Sequence, residues 1–244
     1  MGQPLRWHFP CFAVEFSLIS CWFLRTDHWE DRVKRQHILA GPLLLGLFAA
    51  SAALFASAPL QDPSGVSDVD THKAFGSKTA PVIMEVFSDF QCPACKNLYL
   101  TTNRQLMDNY VTTGKVYLIH RDFPLAMHAY SRVAARYARA AAQLGKVELV
   151  EQALYQNQEK WEQSGDVDGT VAAVLSAKEI AKVRDLVKSG TVDAAIDKDF
   201  ALGQMYRVNQ TPTTVFHCKG QTYPYSGAMT YDILKQFLNQ LLSQ

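Results

Sequence analysis

The chain opens on an uneven pattern and then settles into alternating apolar runs. Ile38 to Gln61 carries no charge and is rich in Leu, Ala and Phe. The run has no polar face, which argues against an amphipathic helix in a core. At roughly 20 residues it is long enough to cross a bilayer. Gln61 to Ser77 is polar, with Pro63, Gly65 and Gly76, and reads as a linker. Val82 to Phe87 is a short, mostly apolar run, as expected of a buried strand, with a single carboxylate, Glu85. Beyond Cys95, Leu98, Leu106, Met107 and Tyr110 give an intermittent helical spacing to about Val111, and Gly114 ends it. Val116 to His120 predicts a second strand.

A helical block follows. His128 to Leu144 is Ala-rich, with Val133, Ala134, Tyr137, Ala141 and Leu144 on one face and Gly145 as a stop. Val147 to Asn157 continues as helix, and Gly165 to Gly169 reads as a turn. Ser176-Ala177-Lys178-Glu179 matches a capping box before a helix ending near Gly190. Thr191 is expected to cap another helix through Val192, Ile196 and Phe200. Arg132, Arg136 and Arg139 read as a solvated helix face, and Trp161 as packing. Strand signals return at Thr213 to His217, with Lys219-Gly220 as a turn and Gln221 to Tyr225 pairing back. Ile233, Leu234, Phe237, Leu238 and Leu241 mark a final amphipathic helix. The order is strand, helix, strand, helical block, two strands, helix, which predicts an α/β domain.

The uncharged run also bears on location. Arg32, Lys34 and Arg35 precede it and Ala56-Ser57-Ala58 closes it, as in a secretory signal peptide. Uncleaved, residues 38–58 would be a membrane anchor. Either way the basic flank stays cytoplasmic and the C-terminal part is exported. Residues 1–32 hold three of the four tryptophans and two of the five cysteines without a clear period. A basic region beginning at Val33 would be an ordinary signal start, so translation is expected to begin there. The expected layout is an N-terminal extension with signal or anchor over 1–58, a linker over 59–77, and one domain over 78–244.

Charge removes one class of function. The 244 residues carry a formal net charge of +1, and 59–244 holds 19 residues of each sign. A neutral domain has no electrostatic case for nucleic acid, where phosphate neutralisation supplies most of the affinity.

The five cysteines are too few for a disulfide scaffold. One pair, Cys92-Pro93-Ala94-Cys95, has C-x-x-C spacing, and no second pair completes a four-thiolate zinc site. A strand followed by this motif at a helix start puts Cys92 where unpaired N–H groups and the helix dipole favour thiolate. Cys95, three positions on, is close enough to resolve a disulfide at Cys92, and Pro93 fits the first turn. Half a zinc site or an inert disulfide are the alternatives.

The stretch Glu85 to Cys95, with the segments Arg121-Asp122-Phe123-Pro124-Leu125, Thr211-Pro212-Thr213 and Tyr225-Ser226-Gly227, resembles the bacterial DsbA-like thiol:disulfide oxidoreductases of the thioredoxin superfamily. The resemblance covers about Gly76 to Leu242. It implies a thioredoxin-like fold with an inserted helical subdomain at about 125–200. It also implies roles: Cys92 forms the mixed disulfide, Cys95 resolves it, Pro212 is cis facing the pair, and the Thr211 backbone pairs with substrate. Glu85 matches the buried acid that helps move the Cys95 proton; the alternative for it is a partly exposed glutamate on an edge strand. The interior Pro93-Ala94 departs from the Pro-His of the strongest oxidants, so Cys92 is expected to be less acidic and its disulfide less oxidising.

The implied activity is disulfide exchange with exported proteins, most simply as a dithiol oxidase. Re-oxidation would come from a quinone-linked membrane partner of the DsbB or vitamin-K-epoxide-reductase type. A reductase or isomerase fed by a reductant donor uses the same fold, and a metal-binding or chaperone module could use the same motif. No organic cofactor and no metal is expected beyond the redox-active Cys92–Cys95 disulfide. Cys218 beside His217 reads as a buried small residue, and His120, Asp122 and His128 do not form a metal set.

Overall fold

The computed structural model describes residues 70–244. The expected signal or anchor at 38–58, the start at Val33 and most of the linker lie outside the described residues. Among the described residues, no helix is long and apolar enough to cross a membrane.

A five-stranded sheet carries the domain, in the order β1-β3-β2-β4-β5. Its strands are β1 (Ala74–Phe75), β2 (Val82–Ser88), β3 (Val116–Asp122), β4 (Thr213–Cys218) and β5 (Gln221–Ser226). β2 lies parallel to β3, with Val86 opposite His120 and Ser88 opposite Asp122. β1 pairs antiparallel with β3, and β4 antiparallel with β2 and β5. β2 and β4 are buried on both faces, hence their near-continuous apolar runs. β5 is the exposed edge, where Pro224 costs no ladder bond that another strand needs.

The sheet starts earlier than expected. Thr71–Lys73 forms a 3-10 turn with Lys73 buried, and β1 follows inside the segment that composition assigned to a linker. A two-residue strand has no period to read, and burial of Lys73 depends on distant carboxylates.

The helix after β2 starts as α1 (Pro93–Asn97), widens into π turns at Leu98–Asn103, returns to α2 (Arg104–Leu106) and widens again at Met107–Val111. These two π segments explain the intermittent spacing of its apolar residues, since each wider turn shifts the buried stripe. Leu98, Leu106 and Tyr110 pack with Val82, Met84, Val86, Leu118 and Phe216 against one sheet face. The last helix, α9 (Tyr231–Ser243), joins that layer through Leu234, Leu238 and Leu241, with Thr230 as its N-cap.

Between β3 and β4 sit α3 (Ser131–Ala142), α4 (Val147–Gln156), α5 (Gln158–Ser164), α6 (Val167–Ala172), α7 (Ala177–Ser189) and α8 (Asp193–Met205). Ala134, Ala138, Ala141, Val150, Leu154, Trp161, Val171, Val183 and Ile196 form their shared core, which also reaches Phe90 and Cys95. The insertion and the active-site motif therefore share one core. The expected capping box at Ser176 and Glu179 is present. Two local expectations are corrected. Asp166 caps α6 by accepting from Gly169 N–H, so 165–169 is a helix start rather than a free turn. Val192, not Thr191, is the N-cap residue of α8, with no side-chain cap bond.

Candidate active site

The turn between β2 and α1 is built around Asp89, which is 1% exposed. Its carboxylate accepts from the Gln91 N–H at 2.7 Å and the Leu125 N–H at 2.7 Å, and pairs with His128 Nδ1 at 2.8 Å. The Cys92 N–H donates to the Asp89 carbonyl at 3.1 Å. From α5, Gln158 Nε2 donates to the carbonyls of Phe90 at 2.6 Å and Cys92 at 3.2 Å. Buried polar groups must be paired, so the insertion holds the motif loop in place by satisfying its carbonyls.

Cys92 is the N-cap of α1, with Pro93 in the first turn and Ala94 after it. Its Sγ donates to the Thr211 carbonyl at 3.3 Å. The Thr211–Pro212 peptide is cis. The Thr211 hydroxyl is buried without a fixed partner and so is free to meet the thiolate. Cys92 is 7% exposed, against 1% for Cys95. Both are thiols here.

The two thiols differ in acidity. The hydrogen bond from Cys95 pulls the Cys92 thiol down to about 6 against the opposing effect of burial, with further help from Thr211 and the N–H groups of Cys95 and Ala94. Cys95 moves the other way, well above the ordinary thiol range, because it is buried and faces the Cys92 thiolate. One thiolate shared by two sulfurs gives an attacking sulfur nearer the surface and a reserve thiol beneath it.

Glu85 is not brought to this pair. It lies on the central strand β2, fully buried, so the edge-strand alternative fails as well. Alternation along β2 turns Val82, Met84 and Val86 toward the active-site helix and Glu85 to the opposite face. There its Oε1 accepts from Arg121 Nε at 2.7 Å and Nη2 at 2.5 Å, and its Oε2 pairs with His217 Nε2 at 2.8 Å. Burial raises the Glu85 carboxyl, but His217 and Arg121 outweigh it and hold the group below the ordinary range.

Arg121 begins a buried network of opposite charges around the end of β3. It donates to Asp199 at 2.9 Å. Arg139 donates to Asp199 and to Asp122, the latter at 2.5 Å. Lys73 closes the chain on Asp122 at 2.6 Å and Glu151 at 3.3 Å. The expectation that Arg139 belongs to a solvated face is therefore wrong: it is 3% exposed. Arg132 and Arg136 do face outward, pairing with Asp193 and Asp197. Sequence reading also missed Asp89 and Gln158, whose partners lie on other elements; only the position of Asp89, just beyond a strand end and three residues before Cys92, hinted at it.

Cys218 is buried at the end of β4, paired with Val82 a whole strand away from Cys92. Among the described residues, no group of three His, Cys, Asp or Glu side chains is placed to hold a metal. His120, Asp122 and His128 are separately engaged, with Glu151, with Lys73 and Arg139, and with Asp89.

A mixed sheet with a C-x-x-C helix start facing a cis-Pro loop defines a thioredoxin-type fold, and the chain belongs to the thioredoxin family, whose model matches residues 68–240. Within that family the chain is similar to disulfide bond formation proteins and to DsbA-type structures. It is 24% identical over 148 residues to the probable disulfide bond formation protein D of Bacillus cereus, covering 59% of this chain and 68% of that protein. A Bacillus anthracis protein of the same description is 39% identical over 54 residues, 25% of its length. Among solved structures, BdbD from Bacillus subtilis superposes with a TM-score of 0.60 at 21% identity, over 70% of this chain and 93% of that one. A thioredoxin-like oxidoreductase from Silicibacter pomeroyi gives 0.59 at 23% identity, over 72% and 99%. Wolbachia pipientis alpha-DsbA1 gives 0.59 at 17%, over 69% and 89%.

Proposed function

We propose that the protein is a thiol–disulfide oxidoreductase that acts on exported proteins through Cys92 and Cys95, working as a dithiol oxidase. The observation that carries this reading is the unequal thiol pair: Cys92 near the surface and lowered to about 6, Cys95 beneath it and raised. A thiol that is stabilised as thiolate is a good leaving group and stabilises the reduced form, which makes the corresponding disulfide an oxidant. The description of the Bacillus relatives as disulfide bond formation proteins supports the same direction.

In the oxidising direction a substrate thiolate attacks Cys92 Sγ. The Cys92–Cys95 bond breaks, Cys95 leaves with the electron pair and takes a proton, and a mixed disulfide remains. A second substrate thiolate attacks the substrate sulfur of that bond, forming the substrate disulfide and releasing Cys92 as thiolate. The Thr211 carbonyl beside Cys92 supports a role for the 211–212 loop in pairing with an extended substrate. Glu85 has no part in this reading. Export by the 38–58 segment would put the domain in an oxidising compartment, with electrons leaving to a quinone-linked membrane partner.

The test is trapping with Cys95→Ala in cells. The variant should accumulate mixed disulfides through Cys92, with secreted proteins as partners. Absence of any Cys92-linked species would overturn the proposal, and partners already disulfide-bonded in the absence of the protein would favour a reductase.

A further inference from the structure

Cys95 must lose its proton to close the disulfide and regain one when the bond opens, yet it is 1% exposed. Glu85, on the far face of β2, does not line its surroundings. A cavity of about 10 Å³ does border Cys95, walled also by Lys73, Asp122, His120 and Glu151. That is about the room one water needs, and the charged groups share its wall with Phe90, Leu98 and Tyr155. Register explains why these groups converge. His120 and Asp122 sit opposite Val86 and Ser88, on the face of the sheet that carries the active-site helix.

The small cavity does not stand alone. Tyr99, Asn103 and His120 line both it and a larger open pocket of about 280 Å³. His120 lies at the junction, its side chain 11% exposed. Its Nδ1 is 2.6 Å from Glu151 Oε2, and its Nε2 is buried with no partner. Asn103 Oδ1, on the same shared wall, is likewise unpartnered, and Asn103 is 5% exposed. A carboxylate on Nδ1 fixes the proton there in the neutral ring, leaving the Nε2 lone pair to take another. Around the network, three buried cations (Lys73, Arg121, Arg139) face four buried carboxylates (Glu85, Asp122, Glu151, Asp199).

We propose that the His120–Glu151 pair is the proton relay of Cys95, passing its proton through the small cavity to the open pocket and solvent. The inference rests on the thiol–disulfide reading above. In closure, the Cys95 S–H bond breaks, its proton goes to His120 Nε2, and the Cys95 thiolate attacks Cys92 Sγ, expelling the thiolate bound there. In opening, the imidazolium returns the proton to departing Cys95. His120 serves Cys95 as proton acceptor and donor across the cavity. The charged and titratable groups around the cavity are Glu151 and Tyr155 on α4, Lys73 before β1, Arg121 and Asp122 on β3, and Tyr99 and Cys95 itself on the active-site helix. Glu148, Arg104 and Asp108 face it from the open pocket.

The test follows reduced protein with oxidised glutathione by rapid quench and mass spectrometry. The first phase, Cys92 attack and release of one glutathione thiolate, is the internal reference. The second, closure by Cys95 with release of the other, is the readout. His120→Ala should slow closure about tenfold or more at pH 7, since positioned proton transfer contributes at least about that much. Added imidazole, small enough for the 280 Å³ pocket, should restore part of the rate. Should His120→Ala fail to fold, His120→Gln carries the test: closure slows while the first phase keeps its rate. Closure within twofold of the parent, or a slowed closure that imidazole leaves untouched, overturns the relay. A parent protein that forms no mixed disulfide overturns the thiol–disulfide reading and the relay with it.

Discussion

Removing Cys95 should make Cys92 less acidic, not merely unable to close a disulfide. The Cys95 hydrogen bond is the largest influence lowering Cys92 from an ordinary value of 9.0 to about 6. At pH 7 that shift takes the thiolate share from about one hundredth to about nine tenths, and the thiolate is the reactive species. In Cys95→Ala this bond is gone, while Thr211 and the N–H groups at the start of α1 remain. A rise of at least one unit is expected, which would cut the thiolate share at pH 6 from about one half to about one tenth. The assay is the rate of iodoacetamide alkylation at Cys92 between pH 4 and 10, read by mass spectrometry. Expected is a midpoint near 6 for the parent, an upward shift for the variant and a similar plateau at high pH. The sign also fixes a linkage: because the folded value of Cys92 is depressed, its contribution to the reduced protein's stability is present above the ordinary thiol range and is lost as pH falls through about 6, while the raised Cys95 opposes it above that range. A variant midpoint at or below the parent's would refute the argument.

Other expectations follow from the same geometry. Ala94→His places an imidazole beside the Cys92 thiolate and should raise the reduction potential, by about 30 mV for each tenfold shift in the glutathione titration; an unchanged or lower value would contradict this. Glu85→Gln leaves Arg121 with only one ionised partner and should cost about 3–5 kcal/mol in urea unfolding, with no change in the Cys92 alkylation profile. Glu85, Asp122 and Glu151 are all held below the ordinary carboxylate range despite burial. Their stabilisation is present above about pH 4 and lost as pH falls through the depressed values, with Asp199, raised by burial, opposing part of it. The thermal midpoint should therefore drop steeply in acid, and a flat profile from pH 5 to 2 would contradict this. Gly203→Ala would set a methyl 2.6 Å from the Phe123 ring and should destabilise by about 1–3 kcal/mol, measured by thermal unfolding.

What the chain made legible was local. The apolar run of β2, the C-x-x-C at a helix start, the Ser176–Glu179 box and the hairpin turn each declare themselves within ten residues. Thr211-Pro212 became readable only through resemblance, because nothing near it points to Cys92, 119 positions away. What escaped was set by depth and distance. Arg139 shares a helical stripe with Arg132 and Arg136, but a stripe gives an angle, not a depth. Its end of α3 meets β3 and α8, where Asp122 and Asp199 wait. Glu85 was misassigned for a different reason. An acid on a strand next to the motif is conspicuous, yet one residue of offset along a strand turns a side chain to the other face, and here that face belongs to Arg121 and His217.

The central claim is that the Cys92–Cys95 disulfide passes to a substrate. The direct measurement is transfer in vitro: the oxidised protein mixed one to one with a reduced two-cysteine peptide, quenched in acid and weighed by mass spectrometry. The account predicts that each oxidised peptide appears with one molecule of dithiol protein, and that Cys92→Ala abolishes transfer. An oxidised protein that remains oxidised while the peptide keeps both thiols would contradict it.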